Sequence, residues 1–150
     1  MALKHEFDAI ENKVNECKSQ SETNTAFSEA RWNLLTNNIK SILGNTKGSV
    51  GSVSPLIASL EAADVLCRLM EHDPKVANGV SFQVAAIAAD TRSPEAVFFA
   101  VKELSKHVTN PNMAVKCAAK LSGYASNHKT RANMSEYLLS TEYAIAISKR

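Results

Sequence analysis

Hydrophobic residues recur every three or four positions through most of this chain, a spacing typical of one face of an α-helix. Near the N-terminus, one such seam consists of Leu3, Phe7, Ile10, Val14 and Cys17. It predicts a helix over residues 2–18. A second helix is predicted over residues 26–43, with an inner face of Trp32, Leu35, Ile39 and Ile42. The short polar turn between the two helices favours an antiparallel helical hairpin.

Helix starts are marked further along by the four prolines of the chain, each of which follows a residue suited to cap a helix N-terminus. The pairs are Ser54-Pro55, Asp73-Pro74, Ser93-Pro94 and Asn110-Pro111. Proline fits the first helical position, because the N–H that it lacks would have no partner there. Four helices are therefore predicted to begin at these prolines, the second with a local break at Asn78-Gly79. A last helix is predicted over residues 130–148, with Met134, Tyr137, Leu138, Thr141 and Ile145 on its inner face.

These elements predict an all-α protein of about seven antiparallel helices. Residues 1–43 form the hairpin, the Gly- and Ser-rich residues 44–54 form a linker, and residues 55–150 form a five-helix unit. The five-helix unit fits a compact bundle. Its evenly spaced helices also resemble a short α-solenoid of the HEAT or armadillo kind, and the sequence leaves both architectures open.

The composition, with 45% apolar and 21% charged residues, is that of a globular protein. The three cysteines lie 50 residues apart, which favours reduced thiols in a reducing compartment over a disulfide framework. Charged residues among the first eight positions argue against a signal peptide, and the longest apolar run has six residues. We therefore expect a cytoplasmic protein that does not insert into a membrane.

Motifs for chemistry are sparse. Cys67 and His72 lack the further closely spaced ligands of a zinc site, and Lys47 precedes Gly48 where a Walker loop needs the opposite order. The histidines and carboxylates lie near helix ends or on polar faces, without a nucleophile and base in a recognisable arrangement. No catalytic residue, metal or cofactor is predicted.

Charge is unevenly distributed. Residues 1–74 carry seven basic against ten acidic side chains, whereas residues 75–150 carry ten against five. Two pairs of lysines are each four residues apart on successive predicted helices: Lys102 with Lys106, and Lys116 with Lys120. Lys129 and Arg131 begin the last helix. If the helices are neighbours, these lysines form a basic ridge that could meet an acidic protein, a nucleic acid or an anionic lipid surface.

The N-terminal seam around Phe7, Ile10 and Val14 is a second candidate surface, since a narrow apolar seam suits a partner helix as well as an internal core. The favoured function is a non-catalytic protein–protein interaction module, such as an adaptor, a chaperone-like factor or an assembly subunit, that binds another protein or itself. The alternative is a nucleic-acid-associated or capsid-like structural protein that uses the basic half. An enzyme ranks third.

Overall fold

The computed structural model describes residues 2–20, 26–47 and 53–127, which contain six α-helices and no β-strand. The helices are α1 (Ala2–Gln20), α2 (Ala26–Asn45), α3 (Pro55–His72), α4 (Pro74–Thr91), α5 (Pro94–Ser105) and α6 (Pro111–Ser126). The all-α prediction is confirmed. The seventh helix, predicted over residues 130–148, lies outside the described residues.

All four proline-marked helix starts are confirmed, because each predicted cap side chain accepts a hydrogen bond from the backbone N–H three residues later. Ser54 accepts from Ile57, Asp73 from Val76, Ser93 from Ala96 and Asn110 from Met113, at donor–acceptor distances of 3.2, 3.2, 3.2 and 3.4 Å. One of the N–H groups that a helix start leaves without an intrahelical partner is thereby satisfied.

Replacing Ser93 by alanine is expected to lower the free energy of unfolding by about 0.5–2 kcal/mol, because the Ala96 N–H then loses its side-chain acceptor. Ser122→Ala, inside α6, is the control, since alanine is the better helix former at an interior position. Chemical denaturation of the two variants measures the difference. Equal stabilities would contradict a role for the Ser93 cap.

The predicted break at Asn78-Gly79 is wrong, since α4 continues through both residues. Asn78 is buried, and its side-chain Nδ2 donates to the backbone oxygen of Arg31 on α2 at 3.0 Å. A glycine inside a helix costs only about 1 kcal/mol relative to alanine, which tertiary contacts of this kind can offset. The helix ends instead at Thr91, and the next residue, Arg92, has a φ of 53°, the left-handed conformation common after a helix.

The helices pack in two rows. Helices α1, α3 and α5 lie side by side in one row, and α2, α4 and α6 lie side by side in the other, while consecutive helices connect the rows. Consecutive helices run antiparallel, so helices within a row run parallel to one another. We call the first the odd row and the second the even row.

One hydrophobic core joins the N-terminal hairpin to the rest of the molecule. It includes Ile10, Val14 and Leu35 from the hairpin together with Leu66 and Val84. A smaller cluster between α4, α5 and α6 contains Ile87, Ala96, Phe99, Ala100, Leu121 and Ala125. The hairpin is therefore docked on the other helices of its own chain.

Residues at both ends of the segment predicted as a linker, residues 44–54, belong to the packed helical structure. Helix α2 continues through Gly44 to Asn45, and Thr46 is buried against its end. At the other side Val53 packs against the core and Ser54 caps α3. Residues 48–52 lie outside the described part of the chain.

Candidate protein-binding surface

Lys102, the first residue of the predicted basic ridge, turns inward to the neighbouring helix of its row. Its Nζ lies 3.0 Å from Glu61 Oε2 on α3, and only 15% of its side chain is exposed. The same ammonium group lies 4.9 Å from the ring centroid of Phe98, a cation–π distance. Lys102 therefore joins α5 to α3 and is not a free surface charge.

The other lysines do not form one ridge with it. Lys106 forms an ion pair with Glu103, three residues earlier in the chain, with Nζ 3.0 Å from Oε1. Lys116 and Lys120 are exposed on α6, and within the described ranges neither makes an ion pair with a carboxylate. Helix α6 packs mainly on α4 and only lightly on α5, so the predicted neighbourhood of α5 and α6 is a minor contact. Lys129 and Arg131 lie outside the described residues.

The N-terminal seam, the second predicted partner surface, belongs to the protein's own core. Ile10 and Val14 are 0% and 1% exposed, and Phe7 is partly buried against the same cluster. Helix α1 packs on α2 and α3, and these two helices cover the seam. The apolar spacing was correctly assigned to one helix face, but that face is not available to another protein in this fold.

Within each row, neighbouring helices are joined by a different kind of polar contact. In the odd row, ion pairs join α1 to α3 through Lys13 and Asp64, 3.7 Å apart, and α3 to α5 through Glu61 and Lys102. In the even row two side-chain hydrogen bonds between neutral groups join α2 to α4. Asn38 Nδ2 on α2 donates to Ser81 Oγ on α4 at 2.7 Å, beside the Asn78 hydrogen bond described above.

The outer side of α2 and α4 is poor in charged side chains: Lys40 at its edge is paired with Glu11, and Lys75 and Asp90 lie at its two ends on α4. We call this surface the neutral face; its exposed or partly exposed residues are Ala30, Asn33, Leu34, Asn37 and Ser41 on α2, and Gly79, Phe82, Ala86 and Ala89 on α4. Two large apolar side chains stand out from it. Leu34 is 50% exposed and Phe82 is 66% exposed.

The hydrophobic pattern did not single out Phe82, because α4 is apolar nearly all round from Val80 to Ala89. A signal was present in the spacing. Phe82 is two residues from both Val80 and Val84, which are buried, and two residues correspond to about 200° around a helix. Phe82 is thus on the opposite side from the core.

No protein-family model, curated protein or solved structure matches this chain. In the part of the chain that the structure describes, no three His, Cys, Asp or Glu side chains lie close enough together to hold a metal ion. None of the described helices is both long enough and apolar enough to cross a membrane.

Proposed function

We propose that this protein is a non-catalytic protein–protein interaction module, of the adaptor or assembly-subunit kind, and that it binds its partner through the neutral face. The observation that carries the proposal is the exposure of Phe82 in uncharged surroundings. Aromatic side chains are enriched and charged ones depleted at the centres of protein interfaces. The odd number of cysteines supports a cytoplasmic location as part of this proposal.

The proposed architecture is a short α-solenoid of the HEAT or armadillo kind. Its support is the packing of each helix on the next but one, which stacks helices into two rows as stacked helical hairpins do. The helices that begin at Pro55 and Pro94 belong to the same row and start 39 residues apart, which falls within the period of such repeats. Modules of this kind present extended surfaces to other proteins.

The chemistry of the neutral face indicates what it would bind. Gly79, Ala86 and Ala89 surround Phe82 with small groups, so a partner backbone could approach closely while the ring enters a pocket on the partner. Covering Phe82 and its small neighbours on α4 would remove no charged group from water, so the desolvation cost there is small. We therefore propose a protein partner whose contacting surface is itself apolar and uncharged.

Replacing Phe82 by serine is expected to weaken association at least tenfold while leaving the melting temperature unchanged, because the side chain is mostly exposed and serine and phenylalanine have similar helix propensities. The partner is first identified by co-purification from native cells. Affinity for that partner is then measured by calorimetry, and self-association by analytical ultracentrifugation.

Ile57→Ser is the matched control for this experiment. Ile57 is 44% exposed on α3, in the odd row, so the substitution removes a similar exposed apolar group away from the neutral face. It should leave affinity unchanged. If Phe82→Ser binds as tightly as the parent protein, or if Ile57→Ser weakens binding equally, the neutral face is not the interface.

Nucleic-acid binding remains the second candidate, because Lys116 and Lys120 are exposed one turn apart on α6. The salt dependence of the binding affinity distinguishes nucleic-acid binding from protein binding through the neutral face. Binding to phosphates weakens with salt, with a logarithmic slope of about 0.9 per contact, so Lys116→Glu with Lys120→Glu would reduce that slope by about two units. Binding through an uncharged face should respond little to salt or to the lysine substitutions.

A further inference from the structure

Two of the three cysteines face each other between α1 and α3. The ion pair between Lys13 and Asp64, whose charged atoms lie 3.7 Å apart, shows which positions of these parallel helices lie at the same level. Cys17 follows Lys13 by four residues and Cys67 follows Asp64 by three, which is one helical turn further along each helix. At this level Cys17 packs against the core cluster that contains Cys67, and hydrogen bonding between the two thiols shifts the pKa of both.

The two thiols differ in their surroundings. Cys67 is 2% exposed within the core, whereas Cys17 is partly exposed at its edge. The hydrogen bond from Cys67 lowers the pKa of Cys17, against the opposing effect of partial burial, with Lys13 assisting and Asp64 and Glu71 opposing. The same hydrogen bond, together with burial, raises the pKa of Cys67. Cys17 is thus the accessible thiol of the pair, and the one more readily ionised.

We propose that Cys17 and Cys67 are a dithiol modification site, which a peroxide oxidises to a disulfide that ties α1 to α3. The geometric basis is that the two cysteines stand at the same level of packed parallel helices, with Cys17 packed against the core cluster that contains Cys67, and the bond to be formed is about 2.05 Å long. This site is independent of the neutral face, which lies on α2 and α4.

The reaction proceeds in two balanced steps. The Cys17 thiolate attacks one peroxide oxygen, the O–O bond breaks, and Cys17 becomes a sulfenic acid while hydroxide leaves and takes up a proton. The Cys67 sulfur then attacks the sulfenic sulfur, the S–O bond breaks, and the thiol proton leaves with the hydroxyl group as water. Overall two thiols lose two electrons and two protons, and hydrogen peroxide is reduced to two water molecules.

The disulfide would connect the first helix to the third and close a loop that contains α2. Cross-links of this kind restrict the unfolded chain, and the effect increases with loop length. Oxidised protein should therefore melt at a higher temperature than reduced protein. The hairpin would be held covalently on the core under oxidising conditions and by packing alone under reducing ones.

The test is peptide mapping of the full chain after titration with hydrogen peroxide, with and without a reductant. Trypsin separates the three cysteines, since Cys17 lies in peptide 14–18, Cys67 in 48–68 and Cys117 in 117–120. The expected product joins the first two peptides, at a mass two hydrogens below their sum, and dithiothreitol reverses it. Cys117 is the internal control: burial raises the pKa of its thiol, with Glu103 adding to the effect.

Two variants assign the roles. Cys67→Ser should leave a sulfenic acid at Cys17 that a dimedone probe traps, whereas Cys17→Ser should leave Cys67 unmodified at the same peroxide dose. Cys117→Ser should form the cross-link as the parent chain does. Oxidation of Cys17 to sulfinic acid in the parent chain without the cross-link, or a cross-link to Cys117 instead, would overturn the proposal, and neither result bears on the neutral face.

Discussion

Replacing Ile10 by alanine is expected to lower the free energy of unfolding by about 2–5 kcal/mol, a large fraction of the stability of a domain this size. The side chain is 0% exposed and lies in the core cluster that joins the hairpin to the remaining helices. Removing three carbon atoms there loses their burial and leaves a cavity between α1 and its neighbours. Denaturant unfolding followed by circular dichroism measures the change.

Leu34→Ala is the matched control, because it also truncates an aliphatic side chain in the hairpin but at a half-exposed position. Exposed substitutions of this kind are usually within about 0.5 kcal/mol of neutral. If both variants lose the same small amount, the N-terminal hairpin is not docked on the core in solution. The seam would then again be a candidate partner surface.

Replacing Lys102 by glutamate is expected to destabilise the protein by about 2–4 kcal/mol, because it removes the partner of Glu61 and sets a second carboxylate opposite it. Loss of one member of a fully buried ion pair costs about 3–5 kcal/mol, whereas exposed pairs contribute under about 1 kcal/mol. The Lys102 side chain is 15% exposed and that of Glu61 is 35% exposed, so this pair lies between the two limits.

Exchanging the two charges tests the same contact directly. The double variant Glu61→Lys with Lys102→Glu should recover a large part of the stability that Lys102→Glu loses, since it restores opposite charges across α3 and α5. Lys116→Glu, on the exposed side of α6, should change stability by less than about 0.5 kcal/mol. If the Lys102→Glu variant has the same melting temperature as the parent protein, the lysine is a solvated surface charge.

The helix starts could be predicted from the sequence because their cause is local. A cap residue, a proline and the free N–H groups of the first turn lie within four residues, and nothing distant is needed to decide the outcome. At Asn78 the same local reasoning was wrong. There the deciding hydrogen bond goes to the backbone of Arg31, on a helix that is remote in the sequence.

The candidate surfaces could be predicted much less well, because they depend on which helices are neighbours. Lys102 and Lys116 each belong to a pair with four-residue spacing, yet one is fixed against Glu61 and the other is exposed. Likewise the apolar spacing of Ile10 and Val14 identifies a helix face without saying what covers it. The exposure of Phe82 could have been predicted from its angular position around the helix, since it lies opposite the buried valines of α4.

The reach of the helix contacts has a consequence for how the chain is made. Among the described helices, every extensive contact joins two helices that are consecutive in the chain or that are separated by one other helix. During synthesis the N-terminus emerges first, so α1 gains its full set of neighbours once α3 has left the ribosome, and α2 does so once α4 has. Ribosome-bound chains that expose residues up to Thr91 should therefore already protect α1 and α2 from protease. The N-terminal half can acquire its core while the rest of the chain is still being translated.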